Sequence, residues 1–207
     1  KQISPGFGLD SRWSSFVRFE FNFDEVNTGT RIFRRNQIIP TMTISPGRRV
    51  PQVSFQGTFG DEVDFANDRL GKGGTMSLGT ELRPSDHLLL STAMSRRWLD
   101  VDAEDGMGGR LFTADVARLR AMYLFTDRIW LRMIGEWVET TRNPALYTGS
   151  VPRRSGGLSS SALFAFKLNW QTVAYLGYVD SREIDPEEEL ERAGRRIFFK
   201  LSYAFRG

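Results

Sequence analysis

Val17-Arg18-Phe19-Glu20-Phe21-Asn22-Phe23-Asp24 alternates an apolar residue with a polar or charged one at every step. Successive side chains of a strand point to opposite faces, so this octet is a strand with one aromatic face and one charged face. A helix would spread these charges around its circumference and leave no apolar stripe.

The same period recurs along the chain. Val53, Phe55, Gly57 and Phe59 oppose Gln52, Ser54, Gln56 and Thr58, and Met76, Leu78, Thr80 and Leu82 oppose Thr75, Ser77, Glu81 and Arg83. Leu88, Leu90, Thr92 and Met94 oppose His87, Ser91, Ser95 and Arg97. Further on, Ala117, Leu119, Ala121, Tyr123 and Phe125 oppose Arg118, Arg120 and Met122, while Ile129, Leu131, Met133, Gly135 and Trp137 oppose Arg132, Ile134 and Glu136. Ala162, Phe164, Phe166 and Leu168 stand against Ser161, Leu163, Ala165 and Lys167. The last strand sets Ile197, Phe199, Leu201, Tyr203 and Phe205 against Lys200, Ser202, Ala204 and Arg206. Two more strands, near residues 31–44 and 172–180, are apolar on both faces or broken by Pro40, and their parity stays open. The expectation is an all-β fold of about ten antiparallel strands in up-and-down order, either a barrel by itself or the C-terminal part of a larger one.

Connections carry an independent signal. Pro84-Ser85-Asp86, Thr126-Asp127-Arg128 and Asn169-Trp170-Gln171 are short and rich in turn formers. Between them lie polar stretches at 60–74, 100–110, 140–157 and 180–194, read as long loops. Short turns at one end and long loops at the other match a bacterial outer-membrane barrel, with the turns in the periplasm.

Composition agrees. The 207 residues include 16 Phe and carry a net charge of +3, yet apolar runs are cut by Arg within a few positions. None approaches the roughly 18 apolar residues of a membrane helix. The basic residues are scattered, without the dense patch of a nucleic-acid face. There is no Cys, so no disulfide or thiolate site exists. The sequence starts at Lys1 without an initiator Met, as a mature exported chain or a fragment does. The expected organisation is one domain over 1–207, with 1–11 as a lead-in segment. A soluble calyx would also alternate. Aromatic residues at strand ends (Trp13, Tyr123, Phe125, Trp137, Tyr203, Phe205), and more large Phe and Leu than a ten-strand lumen holds, favour lipid outside.

The segment ending in Phe199, Leu201, Tyr203 and Phe205 resembles the terminal strand read by bacterial barrel-assembly machinery, although Arg206 and Gly207 follow the last aromatic. Over nearly its whole length the chain also resembles the C-terminal part of the bacterial family called domain of unknown function 5916. Pro5-Gly6-Phe7, Leu82-Arg83-Pro84-Ser85, Tyr123-Leu124-Phe125-Thr126, the run from Leu163 to Asn169, the run from Thr172 to Tyr178 and the run from Lys200 to Arg206 carry the likeness. That resemblance implies a β-barrel, often preceded by a carbohydrate-binding-like domain. Its occasional hydrolase label brings no motif that maps onto these residues.

Candidate sites are few. The single His87 lies beside Ser85 and Asp86 in a turn at the periplasmic end, where a turn-flanking role outweighs catalysis. Asp100-Val101-Asp102-Ala103-Glu104-Asp105-Gly106 resembles half a calcium loop, but Gly106 falls one place late and Leu111 stands where the closing Glu belongs. Asp185, Glu187, Glu188, Glu189 and Glu191 form a hydrated acidic loop, or a bridge for divalent cations between lipopolysaccharide phosphates. No catalytic residue, cofactor or metal site is assigned. The charges on the polar parity form the main set: Arg18, Glu20, Glu81, Arg118, Arg120, Arg132, Glu136, Lys167 and Lys200. Inside a closed barrel they build either an ion-pair network filling the lumen or a cationic constriction that favours anions. The function expected is a non-enzymatic narrow pore or a membrane anchor in a Gram-negative outer membrane. The partners expected are membrane lipid, lipopolysaccharide, the assembly machinery and another envelope protein. The rivals are an outer-membrane hydrolase or protease and a soluble ligand-binding barrel.

Overall fold

The computed structural model describes residues 2–12, 14–102 and 108–205. Twelve strands form one antiparallel sheet: β1 (Gln2–Ile3), β2 (Gly6–Ser11), β3 (Ser15–Asn27), β4 (Ile32–Ile44), β5 (Gln52–Asp64), β6 (Arg69–Leu82), β7 (Leu88–Val101), β8 (Gly109–Leu124), β9 (Ile129–Arg142), β10 (Arg154–Lys167), β11 (Thr172–Ile184) and β12 (Leu190–Tyr203). From β3 onward each strand pairs with the next in sequence. Among the described residues no pairing joins β12 to β1 or β2.

The strand count exceeds ten because the lead-in segment is itself strand. β1 and β2 both pair with β3, and Phe7 stacks on Phe19 at 5.6 Å. Pro5 separates them since it lacks an N–H, while its carbonyl accepts from Phe21 N at 2.8 Å. The strand near 31–44 is β4, and Pro40 lies inside it opposite Phe19. The strand near 172–180 extends to Ile184.

All four of the stretches read as long loops are partly strand. Residues 60–64 pair with 69–73, leaving a four-residue turn at 65–68. Residues 180–184 pair with 190–195, leaving 185–189. Only 143–153 is long among the fully described connections, and it holds a short 3-10 turn at Pro144–Leu146. Polarity on both faces suggested loop, but cross-strand ion pairs keep these charged extensions in the sheet. Residues 103–107, the centre of the calcium-like stretch, lie outside the described residues, as do Trp13, Arg206 and Gly207.

Register sorts the two faces. Row by row, Val17 pairs with Met42, Met42 with Phe55, Phe55 with Leu78, Leu78 with Met94, Met94 with Ala117, Ala117 with Trp137 and Trp137 with Leu158. Leu158 then pairs with Arg182. The row begins near a turn in β3 and ends among charges in β11, so the apolar belt runs obliquely across the hydrogen-bond rows, as tilted strands require. Each long strand gives the belt four or five alternate positions next to its turn end. In β9 these run from Ile129 to Trp137, roughly 25 Å along the strand.

The apolar face is exposed, and on β3 and β4 the polar one is the more covered. Phe19, Phe21 and Phe23 are 38%, 36% and 47% exposed, whereas Asn22 and Gln37 on the polar face are 5% and 8% exposed. That is the reverse of a soluble calyx. Leu119 lies mid-belt between Arg118 and Arg120, which point the other way. With the belt in hydrocarbon, Leu119→Arg should cost about 2–4 kcal/mol in denaturant unfolding from phospholipid vesicles. Ala93→Arg, on the polar face of β7, should cost little; equal losses at both positions would contradict the face assignment.

Candidate functional site

Register places Arg18, Glu20, Glu81, Arg118, Arg120, Arg132, Glu136, Lys167 and Lys200 on one face, the polar one. They divide into two unlike halves.

Across β3 to β7 the charges are matched except at Glu81, which forms no ion pair among the described residues. Arg18 reaches Glu20 at 2.7 Å. Asp24 accepts from Arg35 at 2.6 Å, Arg35 lies 3.6 Å from Glu62, and Glu62 lies 4.0 Å from Arg97. The Arg97 guanidinium lies 5.8 Å from the centre of the Phe112 ring. This ladder crosses β6 because Gly73 is bare there: a Cβ would come 3.3 Å from Glu62 Cβ and 2.6 Å from the Trp98 carbonyl. Sequence reasoning missed Arg35 and Glu62. The parity of β4 was open, and Glu62 lay in a stretch read as loop.

Across β8 to β12 the face is basic. Arg118, Arg120, Arg132, Arg142, Lys167, Arg196 and Lys200 share it with only Glu136, Glu183 and Glu191. Glu136 lies 3.7 Å from Arg118. Among the described residues no ion pair forms at Arg120, Arg132, Lys167, Arg196 or Lys200.

The long connection 143–153 folds onto this polar side. Leu146 and Tyr147 pack against the buried cluster of Leu99, Val101 and Leu111, beside Phe112. Leu111 is the extra residue of a bulge between the rows of Leu99 and Asp100. Arg69, held by Asp64 at 2.8 Å, donates to the Leu146 carbonyl at 2.8 Å, and Asn143 N donates to the Leu111 carbonyl at 3.0 Å. Burial pushes the Tyr147 phenol up from its ordinary range.

The turn holding His87 forms no catalytic relay. His87 Nδ1 donates to the Leu124 carbonyl at 2.9 Å, because a carbonyl only accepts. Ser85 Oγ accepts from the His87 backbone N–H at 3.3 Å, and Asp86 pairs with Arg48 at 2.7 Å. Each member of the would-be triad has a different local partner. No cluster of metal-ligating side chains occurs among the described residues, and the acidic loop closes on itself through Glu189 N and Asp185 at 2.8 Å. On the apolar side Tyr123 meets Phe125, and Tyr203 meets Phe205, each pair edge to face at 4.8 Å at the turn end.

No family model matches the chain, and neither does any curated protein. Among solved structures it is similar to the outer membrane channel DcaP of Acinetobacter baumannii, with a TM-score of 0.59 and 10% identity, over 99% of this chain and 62% of that one. The fold is that of an outer-membrane β-barrel. OmpT, an outer membrane protein of Vibrio cholerae, aligns with a TM-score of 0.48 and 12% identity over 98% of this chain and 63% of that one. The chain thus spans about three fifths of the length of both.

The docked connection gives a direct test. Leu146→Asp would place a carboxylate in the apolar cluster and should free the connection from the polar face. Limited proteolysis of the folded protein should then cut within 143–153 several-fold faster, roughly, while cleavage in the strands stays unchanged. Unaltered cleavage would show that the packing does not hold this segment.

Proposed function

We propose that this chain forms the wall of a channel in the outer membrane of a Gram-negative cell, that its polar face lines the lumen, and that the channel favours small anionic solutes. The observation that carries the reading is the division of the polar face: largely matched charges with one unpaired acid, Glu81, on β3 to β7, a basic wall compensated only in part on β8 to β12, and a connection folded between them. Fixed cations beside low-dielectric walls focus the field and enrich anions locally. Matched pairs across β3 to β7 add little net field, so preference comes from Arg120, Arg132, Lys167, Arg196 and Lys200. Arginine suits this task, since its guanidinium stays charged and presents a planar fork to carboxylate or phosphate.

In this reading the turn end faces the periplasm and the end with the docked connection faces outside. Phe199, Leu201, Tyr203 and Phe205 on the exposed apolar parity of β12 are the feature that assembly machinery would read. We also propose that the chain is kin to the C-terminal part of the family called domain of unknown function 5916.

Single-channel recording in planar bilayers under a salt gradient tests the function. The protein should conduct, with a reversal potential on the anion-selective side. Arg120→Glu combined with Arg132→Glu should move that potential toward cations, whereas Arg18→Gln, in the matched half, should shift it far less. Absence of current from folded, inserted protein would remove the channel reading.

A further inference from the structure

At the end of the apolar belt every long strand turns charged on its exposed face, and nearly all these charges pair one to one. Glu25 lies 3.7 Å from Arg34, Asp61 3.1 Å from Lys72, Arg96 2.6 Å from Asp115, and Glu139 2.7 Å from Arg154. The hairpin of β11 and β12 breaks the rule. There a single carboxylate, Asp180, gathers three guanidiniums: Arg182 at 3.2 Å, Arg192 at 3.5 Å and Arg195 at 3.6 Å. Register sets Asp180 opposite Arg195 and Arg182 opposite Arg192, all on the apolar-face parity. A bulge between Ser181 and Arg182 brings the two rows into this arrangement.

Three features make the cluster a site. Asp180 is buried with a side-chain exposure of 9%, while the three arginine side chains keep 41%, 52% and 50% exposed. The acid therefore acts as an internal anchor that orients the forks, and each reaches it through Nε. Within these four residues one negative charge against three positive ones leaves an excess of two, while the carboxylates of Glu183 and Glu191 in the next row lie on the opposite face and the acidic loop 185–189 lies beyond, at the hairpin tip. On the adjoining strand β10, the residues opposite Asp180 and Arg182 are Ser160 and Leu158, which add no carboxylate. Directly below lie Tyr178, with Arg195 5.9 Å from its ring centre, and the exposed Ile197 and Phe199.

We propose that Arg182, Arg192 and Arg195 bind the phosphate of an anionic glycolipid headgroup in the outer leaflet, with its acyl chains lying along Tyr178, Ile197 and Phe199. The inference rests on the membrane reading above. Anchored guanidinium forks match phosphate oxygens in pairs. Their height at the rim of an apolar belt is where a phosphorylated sugar headgroup meets its acyl chains, so the occupant is a lipid and not a free phosphate.

The test uses the folded protein in phosphatidylcholine nanodiscs, with or without diphosphoryl lipid A or its dephosphorylated form, read by native mass spectrometry of the extracted complex. Diphosphoryl lipid A should be retained over both phosphatidylcholine and the dephosphorylated form. Arg192→Gln with Arg195→Gln should weaken retention roughly tenfold or more, as loss of charge-assisted bonds implies. Arg120→Gln on the opposite face should leave it unchanged. Protein that inserts but retains the dephosphorylated form equally overturns the site and spares the membrane reading; protein that enters no bilayer sinks both. Inorganic phosphate displacing lipid A at equal phosphate concentration would overturn the lipid assignment. Should the double variant fail to fold, the comparison of phosphorylated with dephosphorylated lipid on the unaltered protein decides alone.

Discussion

Strict two-residue alternation, carried without slip from strand to strand, is the constraint on which this structure depends. A shift of one residue in any pairing would send that strand's phenylalanines and leucines to the charged side. The pairings from β3 to β12 make no such error through the belt, and the two bulges fall at its charged end, beside Asp100 and beside Arg182. Irregularity sits where the sheet leaves the apolar layer, and there it does work: one bulge seats Leu111 in the cluster that holds the long connection, and the other assembles guanidiniums around Asp180.

The two faces solve different electrostatic problems. On the exposed face, charge is kept above the belt and largely paired across neighbouring strands, where β-pairing brings opposite charges within reach. On the polar face, the basic residues lie along the belt's own height and the matched ladder at its charged end; at either level they would be costly in hydrocarbon and are tolerable only beside water or partners. The matched ladder from Asp24 to Arg97 and the basic wall from Arg118 to Lys200 are two outcomes of that condition, one satisfied by protein and one left largely without protein partners.

Glycine shapes the matched half. Gly73 removes a side chain from the middle of β6, so Glu62 and Arg97 meet across an intervening strand. A Cβ at Gly57 would fall 2.4 Å from the Phe59 ring, which folds back along its own strand on the apolar face.

The sequence by itself determined the period, the parity of eight strands and the side on which Arg18, Glu136 and Lys200 stand, because side-chain direction in a strand follows from position alone. It could not determine where strands end, since charged residues on both sides of residues 60–64 and 180–184 look like loop until the partner strand is known. Nor could it pair Glu62 with Arg97, gather three arginines on Asp180, or fold Leu146 and Tyr147 onto Leu99. Those are contacts between residues far apart in the chain. Only register and the bulges set their distances, and register is a property of the assembled sheet.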